Sequence, residues 1–243
     1  MPQQKYYHAY DDRYRQVHEQ NLQWSHENPS QIVAEAIATF AISRQHRLLE
    51  IGCGEGRDAF PLLEQGYDLL ATDVSPEAIA FCRGKRPAYA DRFRVVDCIS
   101  GLLNGTFDFI YAVAVVHMLV PDEDRDAFYT FIRDHLSPAG LALICTMGDG
   151  VTERQTDIRT AFDLQRRVHR QSGRMLQIAN TSCRMVSFRT WERELERNSL
   201  NRIKKGMAAA GLDFPQMMYT VIGRRDRPSG PPAQRPQVNS IYD

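Results

Sequence analysis

The stretch RLLEIGCGEGRDAF, residues 47–60, decides the fold. A short apolar run carrying one acid, Glu50, gives way to three glycines at alternate positions, Gly52, Gly54 and Gly56. Glycine loses more backbone freedom on ordering than any other residue, so three within five residues do not suit a helix interior. They mark a tight turn that lets a ligand approach the backbone. Residues 48–51 then read as a buried strand, and residues 58–65 as the helix that follows it, stopped by Gly66.

The same rhythm continues outward from the turn. Residues 68–72 predict a second strand, and residues 76–84 a helix opened by Ser75 as cap and Pro76 in its first turn. Strands follow at 93–97 and 107–115; the latter holds too many β-branched and aromatic residues for a comfortable helix. Residues 123–136 predict an amphipathic helix and 141–147 a fifth strand. Continuous apolar strands alternating with helices imply a parallel sheet covered on both faces. Upstream, residues 10–24 read as a polar helix, and a second helix starts at Pro29-Ser30 with Asn28 as its cap. Downstream the rhythm breaks: residues 157–171 predict an inserted helix, 189–198 another helix, and 201–207 and 216–225 two closing strands. The expected organisation is N-terminal helices over a pocket (1–45), a ligand-binding core (46–147), an inserted lid (148–188), the rest of the core (189–225) and a disordered tail rich in Pro, Gln and Arg (226–243).

At 243 residues and 43% hydrophobic, the chain can bury a full core as one decorated domain. Its 30 basic and 30 acidic residues cancel, which predicts no membrane partner and speaks against nucleic acid. The charges are unevenly placed: residues 1–150 carry 13 basic and 21 acidic groups, residues 151–243 carry 17 and 9. Five cysteines, Cys53, Cys82, Cys98, Cys145 and Cys183, are scattered and never spaced as CxxC, so neither a disulfide framework nor a metal site is expected. The polar N-terminus has no signal-peptide pattern and no run is long enough to cross a bilayer; a cytoplasmic protein is the expectation.

In an open parallel sheet, ligands sit beyond the carboxyl ends of the strands, where the glycine turn falls. A dinucleotide fold would want G-x-G-x-x-G; here Gly52-x-Gly54-x-Gly56 is followed by Arg57-Asp58. Glu50 at the strand end suits a cationic ligand better than a phosphate. Asp73 ends the second strand about 20 residues past the glycines, where a carboxylate accepts both hydroxyls of a ribose. Asp97 ends the third strand, where it accepts from an exocyclic amine of a base. Each acid alone could be a strand-end or turn residue; three on successive strands beside this loop are poorly explained by chance.

With these residues in view, E-x-G-x-G-x-G (50–56), Asp73, Asp97 and FDFIYAVAVVHML (107–119) resemble the class I S-adenosylmethionine-dependent methyltransferases. The resemblance covers roughly residues 45–147 by motif and 188–225 by layout. It implies an α/β, Rossmann-like seven-stranded sheet, mostly parallel with an antiparallel last strand, and S-adenosylmethionine as cofactor. It further implies that Glu50 and the loop of Gly52, Cys53, Gly54, Gly56 and Arg57 hold the methionine end. Asp73 and Val74 would hold the ribose, Asp97 and Cys98 the adenine edge, and Ala112 and Val113 would line the sulfonium side. GCGEGRDA followed by a Gly-Tyr-Asp strand is also similar to the tellurite-resistance and thiol-methylating branches.

Methyl transfer from a sulfonium needs alignment and exclusion of water more than it needs acid–base groups. A base is required only when the acceptor must lose a proton. His117, just after the fourth strand, is the candidate base or a wall beside the cofactor. Asp149 either points to the ligand edge or caps a turn. Tyr6, Tyr7, Tyr10 and Trp24 either cover the pocket or dock the N-terminal helix. The insert carries seven arginines, Arg154, Arg159, Arg166, Arg167, Arg170, Arg174 and Arg184, of which one or two are expected to reach inward and hold an anionic small-molecule acceptor, with Arg166 and Arg170 the positions to test. Cys98, Cys145 and Cys183 offer a metalloid site. The competing readings are a metalloid- or thiol-methylating enzyme, a cofactor-binding protein without transfer, and a nucleic-acid methyltransferase using the basic half. The oligomeric state is not legible.

Overall fold

The computed structural model describes residues 4–25, 28–208 and 217–225. The N-terminal segment forms a 3-10 turn at Tyr6–His8 and α1 (Ala9–His18), followed by α2 (Gln31–Thr39). The core then alternates as expected: β1 (Arg47–Ile51), α3 (Ala59–Glu64), β2 (Asp68–Asp73), α4 (Pro76–Lys85), β3 (Phe93–Val95), β4 (Phe107–Val113), α5 (Asp122–His135) and β5 (Leu136–Met147). The inserted region holds four short strands, β6 (Arg154–Gln155), β7 (Leu164–Val168), β8 (Met175–Ala179) and β9 (Arg184–Met185). The chain closes with α6 (Phe188–Arg197), β10 (Leu200–Ala208) and β11 (Met217–Arg224).

Among the described residues, seven strands make one sheet in the order β10-β11-β5-β4-β1-β2-β3. β1 to β5 run parallel, while β11 is antiparallel to both β5 and β10. This is the Rossmann-like sheet with an antiparallel last strand that the sequence predicts. Side chains of continuous apolar strands alternate between two cores because successive residues face opposite sides of a sheet. Leu48, Phe109, Tyr111 and Leu143 meet α2, α3 and α4 on one face. Leu49, Ile110, Ala112 and Ile144 meet α5 and α6 on the other. Strand order reverses at the β1–β4 neighbours, so a crevice opens beyond their carboxyl ends.

Local chemistry sets the ends of several elements. Ser75 caps α4 by accepting from Ala78 N at 3.0 Å, with Pro76 in the first turn as expected. The cap position of α2 is Ser30 and not Asn28, because Asp58 binds both Ser30 N and its hydroxyl and so fixes where the helix begins. β3 ends at Val95 rather than Asp97, since Asp97 turns back to accept from Ile99 N.

The largest departure from the sequence reading lies in the insert. Residues 157–171 do not form a helix: a 3-10 turn at Ile158–Thr160 leads into β7, which pairs antiparallel with β8. β8 alternates, and its inward Leu176 and Ile178 pack on Val17, with Leu22 and Trp24 around them. That contact with the N-terminal segment selects the strand period over the helical one. The predicted connection over 209–216 and the predicted tail over 226–243 lie outside the described residues. No described helix is long and apolar enough to cross a membrane.

Candidate active site

The turn after β1 is held against β2: Gly52 N and Cys53 N both donate to Thr72 O, at 2.7 and 2.9 Å. Gly52 sits at φ +74°, and a Cβ there would collide with the Val115 side chain. Gly54, at φ +52°, donates its N–H to Asp73 Oδ2 at 2.8 Å and lies under Tyr14, whose hydroxyl would stand 2.6 Å from an added Cβ. Both positions therefore need glycine for backbone conformation and for close approach. Gly56 closes the turn into α3 beneath Phe60 and does not line the cavity.

The turn opens into a cavity of about 520 Å³, within the range of small-molecule sites. Glu50, Asp73 and Asp97 all line it, as do Gly52, Cys53, Gly54, Arg57, Val74, Cys98, Val113 and His117. Ala112 does not: strand alternation turns it into the core beneath α5, and only its neighbour Val113 reaches the cavity.

The three strand-end acids differ in their surroundings. Glu50 is 3% exposed and its carboxylate accepts one hydrogen bond, from Tyr111 Oη at 3.0 Å. Burial, followed by the nearby charge of Asp58, pushes its carboxyl well above the ordinary range, with Tyr111 and Arg57 opposing. Asp73 accepts from Gly54 N and Ser75 N, yet burial still leaves its carboxyl raised. Asp97 accepts from Ile99 N at 2.9 Å, Ser100 Oγ at 2.6 Å and Tyr7 Oη at 2.9 Å. Burial pushes the adjoining Cys98 thiol up, which keeps it un-ionised.

The N-terminal segment forms the roof. Tyr7, Tyr10 and Trp24 line the cavity, whereas Tyr6 docks the segment by bonding Asp124 and Val120 N. Asp11 accepts from Ser75 Oγ and Glu77 N at the mouth of α4. Buried Glu55, inside the glycine turn, accepts from Trp24 N, Ser25 N, Ser25 Oγ and His18 Nε2. Burial opposes the Glu55 charge, but these bonds outweigh it and hold the carboxyl below its usual value. Glu55, His18, Tyr14 and Arg13 were not singled out from sequence. The spacing Tyr7, Tyr10, Tyr14, one face of a short helix, was the available signal.

His117 is fully enclosed, with Thr146 Oγ1 3.4 Å from its Nδ1. Burial, then the positive charges of Arg125 and Arg13, lower it to about 3, so the imidazole is neutral at physiological pH. An unfolded chain takes up that proton near pH 6.5. Stability contributed by neutral His117 is therefore present above pH 6.5 and lost as pH falls towards 3. At pH 5 the loss relative to neutral pH is about 2 kcal/mol. Urea denaturation at pH 7.5 and pH 5.0 should show His117→Gln losing less on acidification than the parent; parallel losses would contradict this.

Asp149 caps a turn by accepting from Val151 N, Thr152 N and Thr152 Oγ1, and stands away from the cavity. Cys98 and Cys183 line the cavity, but Cys145 is buried in β5 and does not. Among the described residues no three His, Cys, Asp or Glu stand together as a metal-ligand group. In the insert, Arg167 and Arg170 line the cavity and Arg166, one residue along β7, does not.

Residues 49–142 match the family described as a methyltransferase domain. Over 126 residues, 48% of this chain, the sequence is 33% identical to Hemagglutinin 1 of Eikenella corrodens, of which the match spans 38%. The chain spans less than half the length of the curated relatives it matches. Among solved structures, it superposes on a S-adenosylmethionine-dependent methyltransferase from Clostridium acetobutylicum with TM-score 0.62 and 14% identity, covering 87% of this chain and 96% of that one. It superposes on the glycopeptide N-methyltransferase MtfA complexed with S-adenosylhomocysteine with TM-score 0.59 and 20% identity, covering 81% and 88%. At these identities the structural likeness is one of fold. In fold, and in the domain match over residues 49–142, the resemblance to class I S-adenosylmethionine-dependent methyltransferases is borne out.

Proposed function

We propose that this chain, whose core is a methyltransferase domain of the class I fold, moves a methyl group from S-adenosylmethionine to a small-molecule acceptor. The observation that carries the reading is the convergence of Glu50, Asp73 and Asp97 with the glycine turn in one roofed cavity. The donor chemistry fits the cofactor. Glu50 is a buried carboxylate with one hydrogen bond and an open cavity before it, which suits an ammonium. Asp73 keeps acceptor capacity for ribose hydroxyls, since each of its oxygens takes one backbone bond. Asp97 and the wall formed by Val74, Val96 and Ile99 suit an adenine edge and face.

When bound, S-adenosylmethionine supplies an activated methyl group on a sulfonium. The residues' part is alignment and dryness: Val113 and Met118 wall the reacting region, and the Tyr7–Tyr10–Trp24 roof excludes water. Burial leaves His117 neutral at physiological pH, so in this reading it orients the acceptor as a neutral hydrogen-bonding group in the cavity wall rather than carrying a charge.

Calorimetric titration with S-adenosylmethionine and S-adenosylhomocysteine, followed by mass-spectrometric search of a metabolite extract for products heavier by one methylene, tests the proposal. Binding of both, with at least one methylated product, is expected. Absence of heat with either, together with tight binding of a nicotinamide dinucleotide, would overturn it.

A further inference from the structure

The cavity is acidic where the strands end, but a different chemistry enters from α1 and the β7–β8 hairpin. Arg13 is 4% exposed and lines the cavity. Its Nε and Nη2 donate to Ala179 O, Nη2 also to Asn180 O and Thr181 Oγ1, at 2.6–3.1 Å. These bonds satisfy donors without neutralising the charge. Among the described residues no carboxylate pairs with Arg13. The guanidinium lies 4.9 Å from the Trp24 ring centroid, and that of Arg167 lies 5.4 Å from the same ring. Two cations thus converge on one indole at the cavity wall. Burial, with the charge of Arg167 adding to it, pulls Arg13 down to about 10.

A buried guanidinium without a counter-charge is costly unless something pairs with it. Four hydrogen bonds to carbonyl and hydroxyl oxygens account for one buried guanidinium, but they do not account for a second arginine at the same indole. Resting on the methyltransferase reading, we infer that the methyl acceptor is an oxyanion, a carboxylate or phosphate ester, whose charged group binds between Arg13 and Arg167 with its reacting atom toward His117 and Val113. Arg13, Arg167, His117 and Val113 all line the same cavity, which puts the charged group and the region beyond β4 within one molecule's reach. Arg167 is one of the seven insert arginines the sequence offered, whereas Arg13 comes from the N-terminal helix and was not among them; Arg166 does not line the cavity.

The test measures S-adenosylhomocysteine binding first, since its failure would refute the methyltransferase reading alone. Ligand-observed NMR, with and without S-adenosylhomocysteine, then compares benzoate with benzamide and phenyl phosphate with phenol. Each anion is expected to bind roughly tenfold more tightly than its neutral partner, as charge-assisted bonds to arginine require. That preference should vanish in Arg13→Gln and fall in Arg167→Gln, while Arg13→Lys retains part of it. Arg167 is exposed and makes no hydrogen bond with the described residues, so its variant serves even if Arg13→Gln fails to fold. No preference for either anion, or a preference unchanged in Arg167→Gln, would overturn the inference whatever the outcome with the nucleoside.

Discussion

Replacing Glu50 by glutamine is expected to weaken S-adenosylhomocysteine binding about 30-fold or more, a loss of ~2 kcal/mol, while the thermal midpoint of the free protein stays put or rises. The two halves of this result have one cause. In the free protein Glu50 is buried, holds one hydrogen bond and lies near the charge of Asp58. Its folded-state carboxyl therefore titrates higher than the unfolded one, so ionisation destabilises the fold at any pH above the ordinary carboxylate range. Glutamine keeps the shape and the Tyr111 bond but removes that cost. A bound ammonium, however, loses its only direct counter-charge at that position. Differential scanning fluorimetry and calorimetry on the same sample read both quantities. A variant that is less stable yet binds normally would mean that Glu50 serves the core and not the ligand.

Glu194→Ala should destabilise the protein by about 3–5 kcal/mol, because it strands a buried guanidinium. Arg125 and Glu194 are 1% and 2% exposed and meet in a two-pronged pair at 2.7 Å, with Tyr129 Oη adding a third bond at 2.8 Å. Arg125 also donates to Val116 O and Leu119 O, so the pair ties α5 and α6 to the segment bearing His117. Loss of Glu194 should loosen that segment as well as the helix pair. The double variant Arg125→Met with Glu194→Leu, which removes both charges, should regain most of the stability in urea denaturation. It should not regain the packing of residues 116–119, because the bonds to both carbonyls are gone. Equal instability of single and double variants would contradict the account.

The acidic rim of the cavity was largely legible in the sequence. Glu50 and Asp73 fall at the ends of β1 and β2 and Asp97 two residues past β3, because the apolar runs before them fix where each strand stops, and parallel strands bring those stops to one rim. The roof and the arginine-bearing wall were not legible. Arg13 reads in sequence as one more charge on a polar helix; its burial depends on β8, whose carbonyls arrive from 166 residues away. Residues 164–168 were read as part of a helix and form a strand for a related reason. LQRRV is short enough to satisfy either period, and the choice was made by β8 pairing beside it and by Val17 packing beneath that hairpin.

Local pattern alone set the alternation of strands and helices, the tight glycine turn after β1, and the rim of acids. These follow from periodicity and backbone sterics, which act over a few residues. Long-range packing set which face Ala112 takes, that Glu55 fastens the roof to the glycine turn, and that two arginines from separate elements meet at Trp24. Such pairings depend on how distant segments compete for the same buried surface, and no local pattern carries that information.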